Sequence, residues 1–228
     1  MIKTAVEGGS ALMDKQIVSK KRVMDHGEVY TGTREVNAML DLVKSETERI
    51  DSRFLEPACG TGNFLTEILK RKLKVVRTKY GKIQLEYERY AVLAVSSIYG
   101  IDILDDNVVA CRQRLFDIFN RAYTQLYQAK TKEECRGAVR FILSKNIVHG
   151  DALTLKTIGA DPKPIVFSEW SPVNGSMLKR RDFTFHSLLD TSSVKELPLF
   201  SDLGEDAFIP TPEKEYPLVH FLKVHDVQ

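Results

Sequence analysis

"RFLEPACGTGNF", Arg53 to Phe64, is the stretch on which the reading of this chain turns. A short apolar run reaches Glu56 and Pro57. A loop of small residues with two glycines follows, and then the apolar-periodic "NFLTEILKRKL" of a helix. Gly60 and Gly62 permit positive φ and leave no side chain between backbone and a ligand. A helix that starts there presents unpaired N–H groups and a partial positive end, which attract a carboxylate or phosphate. The stretch predicts a strand, a ligand-cradling turn and a helix.

Working outward, the same alternation continues. Thr33 is a plausible N-cap, with Val36, Met39, Leu40 and Val43 at helical spacing behind it. "LEYERYAVLAVSSI" predicts a helix, "YGIDI" a buried strand ending at Asp102, and "DDNVVACRQRLFDIFNRAYTQLY" a long amphipathic helix. "TKEECRGAVRFILSKN" predicts another helix, and "IVHGDAL" and "PIVFSEW" two more strands. Strands interleaved with helices imply an α/β fold with a mainly parallel sheet and helices on both faces. Ligands of such sheets sit beyond the carboxyl ends of the strands. Three predicted strands end in an acid there: Glu56, Asp102 and Asp151. Residues 1–15 read as a mobile N-terminus, 16–190 as the ligand-binding domain, and 191–228 as an irregular segment packed on it.

Composition narrows the classes. The chain has 228 residues, 43% of them hydrophobic, and a net charge of +2, which suits one core-forming domain without global attraction to nucleic acid. Cys59, Cys111 and Cys135 form no C-x-x-C pair, and so sparse a cysteine set fits a reducing, cytoplasmic setting better than a disulfide framework or a metal site. No run of about 18 apolar residues is present, so no membrane span is expected.

Two ligands compete for the glycine loop. A nicotinamide dinucleotide would require a third small residue, but Leu65 stands there, and an acid about 20 residues on. The next strand-end acid, Asp102, is roughly twice that far. S-adenosylmethionine fits better. Loop N–H groups suit its carboxylate and Glu56 its ammonium. Asp102 suits the ribose hydroxyls, Ile103 the adenine face and Asp151 the adenine amino group.

At these residues the chain resembles a known family. "FLEPACGTGNFL" is similar to the cofactor motif of the N6-adenine DNA methyltransferases of restriction–modification systems, especially type I modification subunits. "HGEVYTGTREVNAMLDLV" resembles the segment that precedes it, with Gly32 where the family usually has proline. "YGIDILDDNVVACRQRL" and "IVHGDAL" resemble the two motifs that follow. The resemblance covers about residues 26–155. It implies a class I S-adenosylmethionine-dependent methyltransferase (Rossmann-like) fold. It also implies a cofactor site made by Tyr30, Thr31, Glu56, Pro57, Ala58, Cys59, Gly60, Thr61, Gly62, Asn63, Asp102, Ile103, Asp151 and Ala152.

The family's catalytic string, [DNS]-P-P-[YFW], is absent. Ser171-Pro172-Val173-Asn174 stands at the expected place after "PIVFSEW". Ser171 and Pro172 are the catalytic candidates, as hydrogen-bond acceptors for the adenine amino group, with Trp170 available to stack on a flipped base. Two functions follow from the resemblance: methyl transfer to adenine in DNA with a partner protein for recognition, or an S-adenosylmethionine-binding subunit without transferase activity in a modification or phage-defence locus. "RKLKVVRTK" and "KRRDF" are the basic clusters for DNA phosphates. The closing "HFLKVHDVQ" leaves open whether the chain is part of a longer protein.

Overall fold

The computed structural model describes residues 31–192 and 210–227. The expected mobile N-terminus, Tyr30, and much of the segment expected to be irregular lie outside the described residues. Helices α1 (Thr33–Asp41) and α2 (Lys44–Thr47) lead into β1 (Phe54–Glu56). Then come α3 (Asn63–Tyr80), α4 (Gln84–Ser96), β2 (Ile98–Asp102), α5 (Asp105–Tyr127), α6 (Glu133–Asn146), β3 (Ile147–Asp151) and β4 (Lys156–Thr157). A hairpin of β5 (Val166–Pro172) and β6 (Met177–Thr184) precedes α7 (Phe185–Ser192), β7 (Lys214–Glu215) and β8 (Val219–His220).

The first sheet has the order β1-β2-β3-β4; β1, β2 and β3 are parallel and β4 is antiparallel to β3. Strand alternation divides its side chains between two cores. Ile98 and Ile147 face a layer formed by α3, α4, α5 and α6, whose Leu69, Val92, Leu115, Phe119 and Ile142 are fully buried. Tyr99, Ile101 and Val148 face the other way, onto Ile165, Phe167 and Phe185.

That second face corrects the expectation of helices on both sides. The antiparallel β5–β6 hairpin and the short α7 cover it in place of a helical layer. "PIVFSEW" is a strand, as expected, but not a member of the parallel sheet. Its turn carries Asn174-Gly175, with Gly175 at φ 57° and Met177 N–H donating to the Asn174 carbonyl at 3.1 Å. Asn-Gly is a strong hairpin signal, because both residues tolerate the left-handed conformations that tight turns require.

Buried polar groups join the layers. The Lys72 ammonium, inside the helical layer, donates to the Ile50 carbonyl at 3.1 Å, to Ser97 Oγ at 2.5 Å and to the Ser52 carbonyl. It thereby pins the turn before β1 to the turn before β2. In the hairpin, Arg180 grips Asp182 through two bonds of 2.9 and 2.8 Å, and Asp182 also accepts from Ser168 and Tyr216. Lys179 pairs with Glu215 and Arg181 with Glu169. The "KRRDF" cluster is thus engaged within the fold, and not displayed for phosphates.

Burial pushes the Lys72 pKa down to about 7. A lysine depressed in the folded state leaves the unfolded chain binding more protons between pH 7 and about 10, so stability rises with pH across that window. Lys72→Met should cost about 1–3 kcal/mol by orphaning the Ser52 carbonyl. The deficit relative to the natural protein should widen from pH 7 to pH 9 in urea denaturation. A constant deficit would show that Lys72 keeps an ordinary pKa.

Candidate functional site

The carboxyl ends of β1, β2 and β3 open into a cavity of about 550 Å³. It is lined by Thr31, Glu56, Pro57, Ala58, Cys59, Gly60, Asn63, Asp102, Ile103, Asp151 and Ala152 from the predicted set. Phe64, Leu104, Asn107, Gly150 and Leu153 complete it. Of the predicted binding residues within the described chain, Thr61 and Gly62 alone do not line it. They form the turn behind it.

The loop owes its path to close packing. Gly62 caps α3 at φ 87°, and a Cβ on it would stand 2.6 Å from the Cys111 sulfur of α5. A Cβ on Gly100 of β2 would stand 3.0 Å from the Cys59 sulfur. The loop therefore lies flat on β2 and α5 because two side chains are missing. The Cys111 thiol and burial together raise the Cys59 pKa and keep that thiol protonated, which makes Cys59 a packing residue.

Asp102 is the junction of the site. One of its carboxylate oxygens accepts from Gly60 N–H at 2.7 Å, the other from Leu104 N–H at 2.9 Å and Asn107 Nδ2 at 3.1 Å. It is 7% exposed. A carboxylate has about four lone-pair positions, so three internal bonds leave room for roughly one more donor. Asn107 was not foreseen. Its position one turn into α5, within reach of a strand-end acid, is the signal that could have marked it.

Glu56 accepts from Ala58 N–H at 3.4 Å, and burial raises its pKa. Such a carboxylate gains from a cationic partner. Asp151 is held charged by the N–H of Leu153, with the Thr154 hydroxyl as a second donor, and its pKa is lowered. His149 contacts the Ile103 carbonyl at 3.0 Å and so braces the rim from the neighbouring strand. Ile103 and Leu153 are 47% and 94% exposed beside the opening, an apolar rim suited to a flat aromatic ring. Asn63, Phe64 and Leu65 begin α3, where N–H groups have no intrahelical acceptor, and among the described residues no side-chain hydrogen bond caps that end. Gly32, at φ −66°, holds the angle that proline would impose at this place.

Ser171 and Pro172 are elsewhere. β5 starts beside Leu155 and Gly150, at the carboxyl end of β3, and crosses the sheet face toward the opposite end. Tyr99 donates to the Ser168 carbonyl midway, and Trp170 donates to Asn146 just before β3 begins. Ser171 and Pro172 therefore line a separate cavity with Arg53, Ser96 and Ser97, at the amino ends of β1 and β2. The expected meeting of these two residues with the glycine loop does not occur. Trp170 is 4% exposed and packed edge-on against Phe141, so it is core. The other basic cluster, Arg71 to Lys79, follows α3 away from the cavity. In it Lys72 is buried and Arg71 pairs with Asp41.

Among the described residues no group of three His, Cys, Asp or Glu is placed to hold a metal ion, and no helix is long and apolar enough to cross a membrane.

Gly62→Ala should destabilise the protein by about 1–3 kcal/mol, through the left-handed φ and the clash with Cys111 together. Adding Cys111→Ala should recover part of the loss, since it removes only the clash. Thermal denaturation of Gly62→Ala, Cys111→Ala and the double variant checks this, and no recovery would place the whole cost in the backbone. Comparison with known proteins leaves the geometry to stand alone: no family model, no curated protein and no solved structure matches this chain.

Proposed function

We propose that this chain binds S-adenosylmethionine as the cofactor-binding unit of a methyltransferase related to the N6-adenine DNA methyltransferases. The observation that carries the reading is the convergence of three strand-end acids and the glycine-led start of α3 on one cavity. Each matches a different part of that cofactor. The start of α3 suits the carboxylate, Glu56 the ammonium, and Asp102 a ribose hydroxyl. Ile103, Leu153 and Asp151 suit the adenine ring and its amino group. A cavity of about 550 Å³ is in the range of small-molecule cofactor sites. The remaining capacity of Asp102 favours one strong ribose bond. A second would need Gly60 to release the carboxylate.

When bound, the cofactor supplies an electrophilic methyl group on a cationic sulfur. The chain's own part is to hold it and to exclude water from its buried end. The distance of Ser171 and Pro172 from the cavity favours the second of the two functions implied by the resemblance. On this reading the isolated chain transfers no methyl group, and a partner or further segment brings the base and its hydrogen-bond acceptors.

Calorimetric titration should show one S-adenosylmethionine site per chain, weakened at least about 10-fold in Asp102→Ala. Well-folded protein that takes up no cofactor would refute the proposal. Affinity should fall with acidification, beginning above the ordinary glutamate range, because protonating Glu56 removes the partner of the ammonium. Glu56→Gln should flatten that dependence. In a tritiated-methyl assay on unmethylated DNA the chain alone should be inactive. Transfer lost in Ser171→Ala would restore the direct catalytic role that the fold argues against.

A further inference from the structure

Arg114 lies on α5, one turn beyond Cys111, and does not line the cavity. Its Nη1 reaches the back of the glycine loop: the Thr61 carbonyl at 2.6 Å, Thr61 Oγ1 at 2.8 Å and Asn63 Oδ1 at 2.9 Å. Asn63 in turn donates its Nδ2 to the Thr31 carbonyl at 3.0 Å. The guanidinium thus sets which way the Asn63 amide faces. Because its oxygen is turned to Arg114, its nitrogen is turned to Thr31. Thr31 and Asn63 both line the cavity. Among the described residues, the hydrogen bonds of Arg114 all go to this loop.

We infer that Arg114 is a positioning residue for the cofactor, acting from outside the cavity through Asn63. The inference rests on the S-adenosylmethionine reading above. Asp102 holds the front of the loop through Gly60. Arg114 holds its back through Thr61 and Asn63, and the relay to Thr31 ties down the chain that enters α1. The N–H groups at the start of α3 are then set before the ligand arrives, which removes an ordering cost from binding. All three contacts come from the one nitrogen Nη1, so what the loop requires here is a single cationic donor centre. Lysine offers such a centre on a shorter and more flexible stem, so it restores the role in part.

The test uses the full chain and S-adenosylmethionine itself, with Arg114→Ala, Arg114→Lys, Asn63→Ala and the Arg114→Ala/Asn63→Ala pair. Calorimetry should give a Kd about 10-fold weaker for Arg114→Ala, restored in part by lysine. The double variant should be no more than about 2-fold worse than Asn63→Ala alone, since both changes break one relay. Amide exchange at residues 60–64 of the ligand-free protein should quicken about 10-fold in Arg114→Ala, with β2 amides unchanged. A purely structural role would instead lower global stability and loosen β2 as well. Unaltered Kd and loop exchange in Arg114→Ala would overturn the inference, as would additive effects in the double variant. If the natural protein takes up no S-adenosylmethionine, the cofactor reading fails and this role with it. Normal uptake by both the natural protein and Arg114→Ala removes the role of Arg114 alone.

Discussion

The carboxylate of Asp102 holds three pieces of this molecule in one place. It receives Gly60 from the loop after β1, Leu104 from the end of its own strand, and Asn107 from the first turn of α5. Without it the glycine loop would be left on β2 with the bond from Cys59 N–H to the Ile101 carbonyl at 2.8 Å, and α5 would lose the contact that aligns its start with the cavity. The loop can approach Asp102 this closely because Gly62 and Gly100 leave room for two cysteine sulfurs. Charge, backbone conformation and missing side chains act together, and the cavity at the strand ends is what they leave.

The opposite end of the sheet answers to a different constraint. A parallel sheet must be covered on both faces. Four long helices cover one, and the β5–β6 hairpin covers the other. To do so the hairpin runs back across the strands and carries its turn away from the cavity. The buried Arg180–Asp182 pair fastens it to Tyr216, so the C-terminal segment is part of the same closure. The position of Ser171 and Pro172 is therefore a by-product of covering hydrophobic surface, and it bears directly on what the chain can do unaided.

The cavity residues were readable because their signals are local. Glu56, Gly60, Asp102 and Asp151 each sit at a strand end or turn, where residue type reflects backbone need. Asn107 and Arg114 were not readable, since their meaning depends on which loop a helix crosses. "SPVNGS" was misleading for a physical reason: a Ser-Pro pair after an apolar strand fits an acceptor motif and a hairpin entry equally well. The Asn-Gly that follows favoured the turn. "KRRDF" was misleading in the same way, because a buried ion pair within a strand looks like a surface charge cluster until its partners are known.

By itself the sequence determined the order of the long helices and parallel strands from α1 to β3, the glycine loop and the three acids that end those strands. These follow from periodicity and backbone permissiveness, which act over a few residues. Tertiary structure alone decided that the strand after β4 reverses over the sheet, and that Lys72 and the charges of "KRRDF" are engaged within the fold. It also decided that Arg114 stands behind the loop. Those outcomes depend on contacts between residues far apart in the chain, where the choice of partner is set by which surfaces remain to be covered once the sheet and its helices have packed.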